Sequence, residues 1–169
     1  MRERLLELER ELWKQSFMLK KSLQRLGYTI AVAESCTGGE VASTLTRVPG
    51  ISSVFKGGIV VYSPYYKIHI AGVSEDIVDK YGTVSPEVAL SLAQNIRDIS
   101  NVSVGVSVVC VLGPALDEKG HPVGTTYIAV STSNTSLVKK FMVRRLPRPV
   151  MKRMVALKVI RTVREVIGR

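Results

Sequence analysis

The run VSVGVSVVCVLG, residues 102–113, is almost continuously β-branched or apolar. It lacks the alternation of a strand with one wet face, and it is too short to cross a membrane. It reads as a strand buried on both sides. The rest of the chain must then supply helices for both faces of a sheet. Residues 3–26 carry Leu5, Leu6, Leu8, Leu12, Phe17, Leu19, Leu23 and Leu26 among charges, an amphipathic helix that Gly27 ends. SPEVALSLAQNIRDIS (85–100) is a helix with Ser85 as N-cap and Pro86 at its first position. From Arg148 helical spacing returns at Met151, Val155, Val159, Val163 and Val166. Shorter helices are expected at 39–47 and 74–82, the latter capped by Ser74, with one or two turns at 64–72. Further strands are expected at 28–34, 54–63, 125–133 and 136–145. The Gly57-Gly58 pair suggests a bulge or a close backbone approach. The last two strands form a hairpin at Asn134-Thr135. This order predicts one α/β domain over residues 1–169: a three-layer α/β/α sandwich with a mixed central sheet. An amphipathic helix (1–26) opens it and a basic helix (148–168) closes it.

The N-terminus is charged throughout and has no apolar centre of a signal peptide. Cys36 and Cys110 are too few for a disulfide scaffold, so a reducing, cytoplasmic setting is expected. The net charge is +10, and all the excess lies in the last 31 residues, where eleven Lys/Arg face one acid, Glu165. A basic segment of this kind suits nucleic acid. Between Arg144 and Arg169, however, no aromatic residue is available to stack a base. The simpler reading is a basic outer helix face with one or two arginines turned toward an anionic ligand.

AVAESCTGG (31–39) ends an apolar strand and begins a helix. Ligands of open α/β folds gather at the carboxyl ends of strands. Free N–H groups of a helix start attract anions, and Gly38 and Gly39 let a ligand approach the main chain. The simpler alternative makes Ser35 or Thr37 an N-cap and nothing more. His69 and His121 are the only histidines, and no Cys/His group has metal-ligand spacing.

AESCTGG, RVPGISSVFKGGIVVYS (47–63), Lys67-Ile68, GTVSPEVA (82–89) and PVGTTYIA (122–129) together resemble the CinA C-terminal domain family. The resemblance runs in register from about Leu23 to Arg145. It implies a stand-alone nicotinamide mononucleotide (NMN) deamidase, hydrolysing the carboxamide to nicotinic acid mononucleotide and ammonia without metal or cofactor. Carried over, the nucleophile is Ser35 and its base is Lys67, with Tyr62 beside them. Thr37, Gly38, Gly39, Ser52, Val109, Cys110, Arg145 and Arg148 would contact substrate. A lysine serves as a base only if burial or a neighbouring cation lowers its pKa from about 10.4, and Tyr65, Tyr66 and Ile68 make its neighbourhood apolar. By itself Lys67 would read as an exposed surface lysine. Cys36, beside Ser35 and near a helix start, is the second candidate nucleophile. Glu34 is either a ligand of backbone N–H groups at the pocket floor or a solvated strand-end acid.

Three departures from the family pattern stand out. Val109 replaces a threonine, Cys110 replaces a glycine, and Pro149 stands where an arginine is expected. Three classes of function follow: an active amidohydrolase on NMN or a close relative, a degenerate member that binds a nucleotide or other anion without turnover, and a basic nucleic-acid binder. The intact Ser35, Tyr62 and Lys67 favour the first. The expected partner is a phosphate-bearing nucleotide, in a homo-oligomer, with neither membrane nor nucleic acid.

Overall fold

The computed structural model describes residues 2–168. Met1 and Arg169, the outermost residues of the expected domain, lie outside the described residues. In chain order the elements are α1 (Arg2–Leu26), β1 (Ile30–Glu34), α2 (Glu40–Thr46), β2 (Phe55–Val60), α3 (Glu75–Tyr81) and α4 (Pro86–Ser100). Then come β3 (Val104–Cys110), β4 (Thr125–Ser131), β5 (Ser136–Met142) and α5 (Arg148–Ile167). A 3₁₀ turn (Ile51–Ser53) precedes β2, and a π-helical turn (Tyr66–Ile70) follows it.

The five strands form one sheet in the order β2-β1-β3-β4-β5. β1 is parallel to both β2 and β3, whereas β4 is antiparallel to β3 and β5. The sheet is therefore mixed, as expected. Every residue of β3 is buried, and the two faces it presents are covered separately. Val104, Val106, Val108 and Cys110 pack with Leu12, Leu19 and Leu23 of α1, Val41 and Leu45 of α2, and the apolar stripe of α5 from Met151 to Ile167. Val109, with Ala31 and Ala33 of β1, packs on the opposite face against Val88, Leu92 and Ile96 of α4. α4 lies so close to β3 that a Cβ at Gly105 would stand 2.0 Å from the Ala93 carbonyl oxygen.

Local signals account for most boundaries. Ser85 accepts the Val88 N–H and caps α4, with Pro86 in its first turn. Ser74 precedes α3 but makes no side-chain cap bond. The pairing of β1 with β2 shifts register between Ile30 and Ala31, which leaves Lys56 unpaired just before Gly57-Gly58. This is the irregularity the glycine pair predicts. The β4–β5 connection is longer than a two-residue turn, because Ser131 pairs with Ser136.

Candidate active site

The site forms where the parallel strands β1 and β2 end. The Val61 N–H donates to the Glu34 carbonyl at 2.8 Å, and the Ser35 N–H donates to the Val108 carbonyl at 3.1 Å. Ser35 is thus the first residue beyond the paired strand, tied to the middle strand of the sheet.

Glu34 itself is buried, 2% exposed. Its carboxylate accepts from the Thr37 hydroxyl at 2.6 Å and from the N–H groups of Gly39 (3.2 Å), Val41 (3.0 Å) and Ala42 (2.8 Å). A helix start leaves its first N–H groups without intrahelical partners, and here a strand-end carboxylate satisfies them. The expectation that this helix start attracts an external anion is therefore corrected: the chain's own acid occupies it. Thr37 is fully buried with its hydroxyl on Glu34, so it supports the turn and offers no side-chain surface to a ligand.

Lys67 is not an exposed surface lysine. It lies in the π-helical turn, 2% exposed, while Tyr65, Tyr66 and Ile70 around it face solvent. π-turns recur at functional positions because they re-aim one side chain without ending the helix. Lys67 Nζ donates to Ser35 Oγ at 2.9 Å and to the Val61 carbonyl at 2.8 Å. Burial lowers its pKa to about 8, against a smaller opposing pull from Glu118. Glu118 is held in place by the N–H and hydroxyl of Thr83, each at 2.7 Å. A cleft of about 550 Å³ is lined by Tyr62, Pro64, Thr83, Glu118 and neighbours, and neither Ser35 nor Lys67 is among its lining residues.

Arg148, in the first turn of α5, donates to the Tyr62 hydroxyl at 2.9 Å and to the Gly113 carbonyl at 2.8 Å. Lys152, one turn later, places Nζ over Gly38, 3.5 Å from where a Cβ would be. The α5 spacing i, i+4 could have pointed to Lys152 once Arg148 was chosen. Arg145 is exposed on the segment that follows β5, at the same end of the sheet as Ser35. Further along, the basic face of α5 is engaged by α1: Arg153 with Glu9 and Arg161 with Glu11. Ser52 is not brought to the pair. It lies exposed on the 3₁₀ turn before β2, and β2 runs parallel to β1, so Ser52 sits near the opposite end of the strands from Ser35.

The cysteine reading is corrected outright. Cys36 and Cys110 are not free thiols but form a disulfide, with Cα atoms 5.5 Å apart. Cys36 therefore has no thiolate with which to act as a nucleophile. Cys110 faces the α1/α2/α5 core, and Val109 is fully buried under α4, so neither presents side-chain surface to a ligand. The sequence reading missed the pairing because 74 residues separate the two positions and only the β1–β3 register brings them together. Among the described residues no group of three or more His, Cys, Asp or Glu could hold a metal ion. Nor is any helix long and apolar enough to cross a membrane.

The model of the CinA C-terminal domain matches residues 14–167. The chain belongs to the CinA C-terminal domain family. A CinA-like protein of Fervidobacterium nodosum is 45% identical over 112 residues, 66% of this chain and 28% of that protein. A CinA-like protein of Koribacter versatilis is 46% identical over 109 residues, 64% of this chain and 26% of that one. The chain thus spans less than a third of the length of these relatives. The solved competence/damage inducible protein from Agrobacterium tumefaciens superposes with a TM-score of 0.88 at 24% identity, covering 94% of this chain and 96% of that one. A CinA superfamily protein from Klebsiella pneumoniae gives 0.89 at 18% identity, over 93% and 98%. At these identities the two structures establish the shared CinA fold.

Proposed function

We propose that this CinA domain is an amidohydrolase that deamidates NMN to nicotinic acid mononucleotide and ammonia through a Ser35–Lys67 pair. The observation that carries the reading is Lys67 Nζ, buried and 2.9 Å from Ser35 Oγ. Neutral Lys67 accepts the Ser35 hydroxyl proton as Oγ attacks the carboxamide carbon. The resulting ammonium returns that proton to the departing nitrogen, which leaves as ammonia. Water then attacks the acyl-serine with Lys67 again as base, and Ser35 is regenerated. At pH 7 a pKa of about 8 leaves roughly a tenth of the lysine neutral. That is a useful fraction for a general base, whose best pKa lies near the working pH.

The phosphate of the nucleotide goes to the cationic residues at this end of the sheet, Arg148, Lys152 and Arg145, with the Tyr62 hydroxyl bonded to Arg148. Arginine suits such a site because its planar fork meets phosphate oxygens in pairs. The test is incubation of the purified protein with NMN and assay of both products. Equimolar ammonia and nicotinic acid mononucleotide are expected, and both vanish in Ser35→Ala. NMN binding without ammonia release reassigns the domain to nucleotide binding without turnover.

A further inference from the structure

We propose that Cys36 and Cys110 are positioning residues for the nucleophile: their disulfide clamps the Ser35 turn to the end of β3, and opening it with a dithiol slows the site while the chain stays folded.

The argument starts from what else holds that turn. Glu34 grips it only from Thr37 onward, through the Thr37 hydroxyl and the N–H groups of Gly39, Val41 and Ala42. Ser35 is attached to β3 by one hydrogen bond, from its N–H to the Val108 carbonyl, and its own carbonyl accepts the Gly38 N–H. The Ser35 hydroxyl accepts from Lys67 Nζ, and the Glu34 bonds do not reach Ser35 or Cys36, so the disulfide is the covalent tie between this step and β3. Cys36 adjoins the nucleophile, and Cys110 is the last residue of β3, two beyond Val108. These are the only two cysteines in the chain. The bond joins the turn to the same strand that anchors the Ser35 N–H. It also gives Cys110, which presents no surface to a ligand, a role at the site.

Each cysteine is 7% exposed, so local opening gives a small reductant access. A dithiol such as dithiothreitol attacks one sulfur as thiolate, forming a mixed disulfide and releasing the other cysteine. The second thiol of the reagent then displaces the first cysteine and closes the reagent's own disulfide. Two electrons and two protons pass from reagent to protein, leaving two thiols. Cys36 and Cys110 are two members of the larger apolar cluster; its other contacts, the second cluster and the Glu34 bonds are made without the disulfide, so the domain persists when it opens. What loosens is the placement of Ser35 against Lys67, and a misplacement of about 1 Å can cost on the order of 100-fold in rate.

The kinetic arm rests on the deamidase reading. The structural arm does not. The test compares air-oxidised protein, dithiothreitol-reduced protein and Cys110→Ala by thiol titration, amide hydrogen exchange and, where ammonia is released, NMN kinetics. We expect no free thiol before reduction and two after it. Exchange over residues 35–39 should quicken at least about tenfold, with α4 and α5 unchanged. kcat should fall about tenfold with KM little altered. Cys110→Ala should match the reduced form and ignore dithiol, and reoxidation should restore the wild type. Two free thiols in the oxidised preparation, unchanged exchange at 35–39, exchange that quickens throughout the sheet, or kcat equal in both forms would each overturn the proposal. Local quickening with no ammonia in either form upholds the clamp and removes the deamidase reading.

Discussion

Two neighbouring loops each bury one ionisable side chain, and they treat it in opposite ways. In the turn after β1, Glu34 is surrounded by four donors, three of them backbone N–H groups. In the π-turn after β2, Lys67 finds two acceptors, a hydroxyl and a carbonyl, and neither is charged. A buried ion is stable where its bonds are satisfied and hard to keep where they are not. Glu34 has its hydrogen bonds satisfied and holds a loop. Lys67 is equipped to lose its charge easily. Burial alone therefore says little about reactivity; the partners decide.

The sharpest way to break the contrast is to remove the lysine. On the proposed deamidase mechanism, Lys67→Met should reduce NMN turnover by at least about 10³-fold, and Ser35→Ala with Lys67→Met should be no worse than either alone. The same variant should be more stable than wild type at pH 7. Lys67 has a folded pKa of about 8, below its 10.5 unfolded value. From pH 8 to 10.5 the unfolded chain holds the proton and the folded chain does not, so this group adds stability as pH rises through that window. Below pH 8 the folded state carries a buried cation, at a cost of roughly 3 kcal/mol. Removing it should leave a net gain of about 1–2 kcal/mol after the orphaned Val61 carbonyl is counted. Urea unfolding at pH 7 and pH 10 checks this, and the advantage should shrink at the higher pH.

The converse substitution attacks the satisfied partner. Glu34→Ala strands the Gly39, Val41 and Ala42 N–H groups, and should cost about 3–5 kcal/mol in denaturant unfolding, comparable to breaking a buried charge network. A cost under about 1 kcal/mol would mean that the carboxylate does not hold the turn.

How much of this contrast was legible in advance depends on range. Helix α4 and strand β3 follow from local periodicity and capping, because their signals lie within a few residues. The bulge before Gly57-Gly58 was legible for the same reason. Ser35 and Lys67 were selected by motif resemblance, but the burial of Lys67 depends on the π-turn, and nothing in Tyr66-Lys67-Ile68 distinguishes it from an α-turn on a wet surface. The grip of Glu34 on backbone N–H groups was one of two readings of that acid, and only the folded turn, which brings Gly39, Val41 and Ala42 to its carboxylate, decides between them. The disulfide and the reach of Arg148 to Tyr62 join positions 74 and 86 residues apart, beyond any local pattern.

Two smaller effects sharpen the picture. If deprotonation of Lys67 limits the reaction, kcat/KM should rise about tenfold between pH 7 and pH 9, with an acid limb near 8. A flat profile would exclude the lysine as base. Glu118 raises the Lys67 pKa by its negative charge, so Glu118→Gln should move that limb to lower pH while its amide oxygen still accepts from Thr83. A limb moving upward, or not at all, would place the Glu118 charge out of reach of the pair.

The parallel pairing of β1 with β3 also bears on how the chain becomes competent during folding. Ile30 aligns with Val104 and Glu34 with Val108, so this central ladder closes only after some seventy intervening residues have been synthesised. Long-range parallel pairing is slow because the entropy of closing the loop is lost before the contacts form. Ser35 is anchored through Val108, so its place at the end of β1 is fixed only when that pairing is complete.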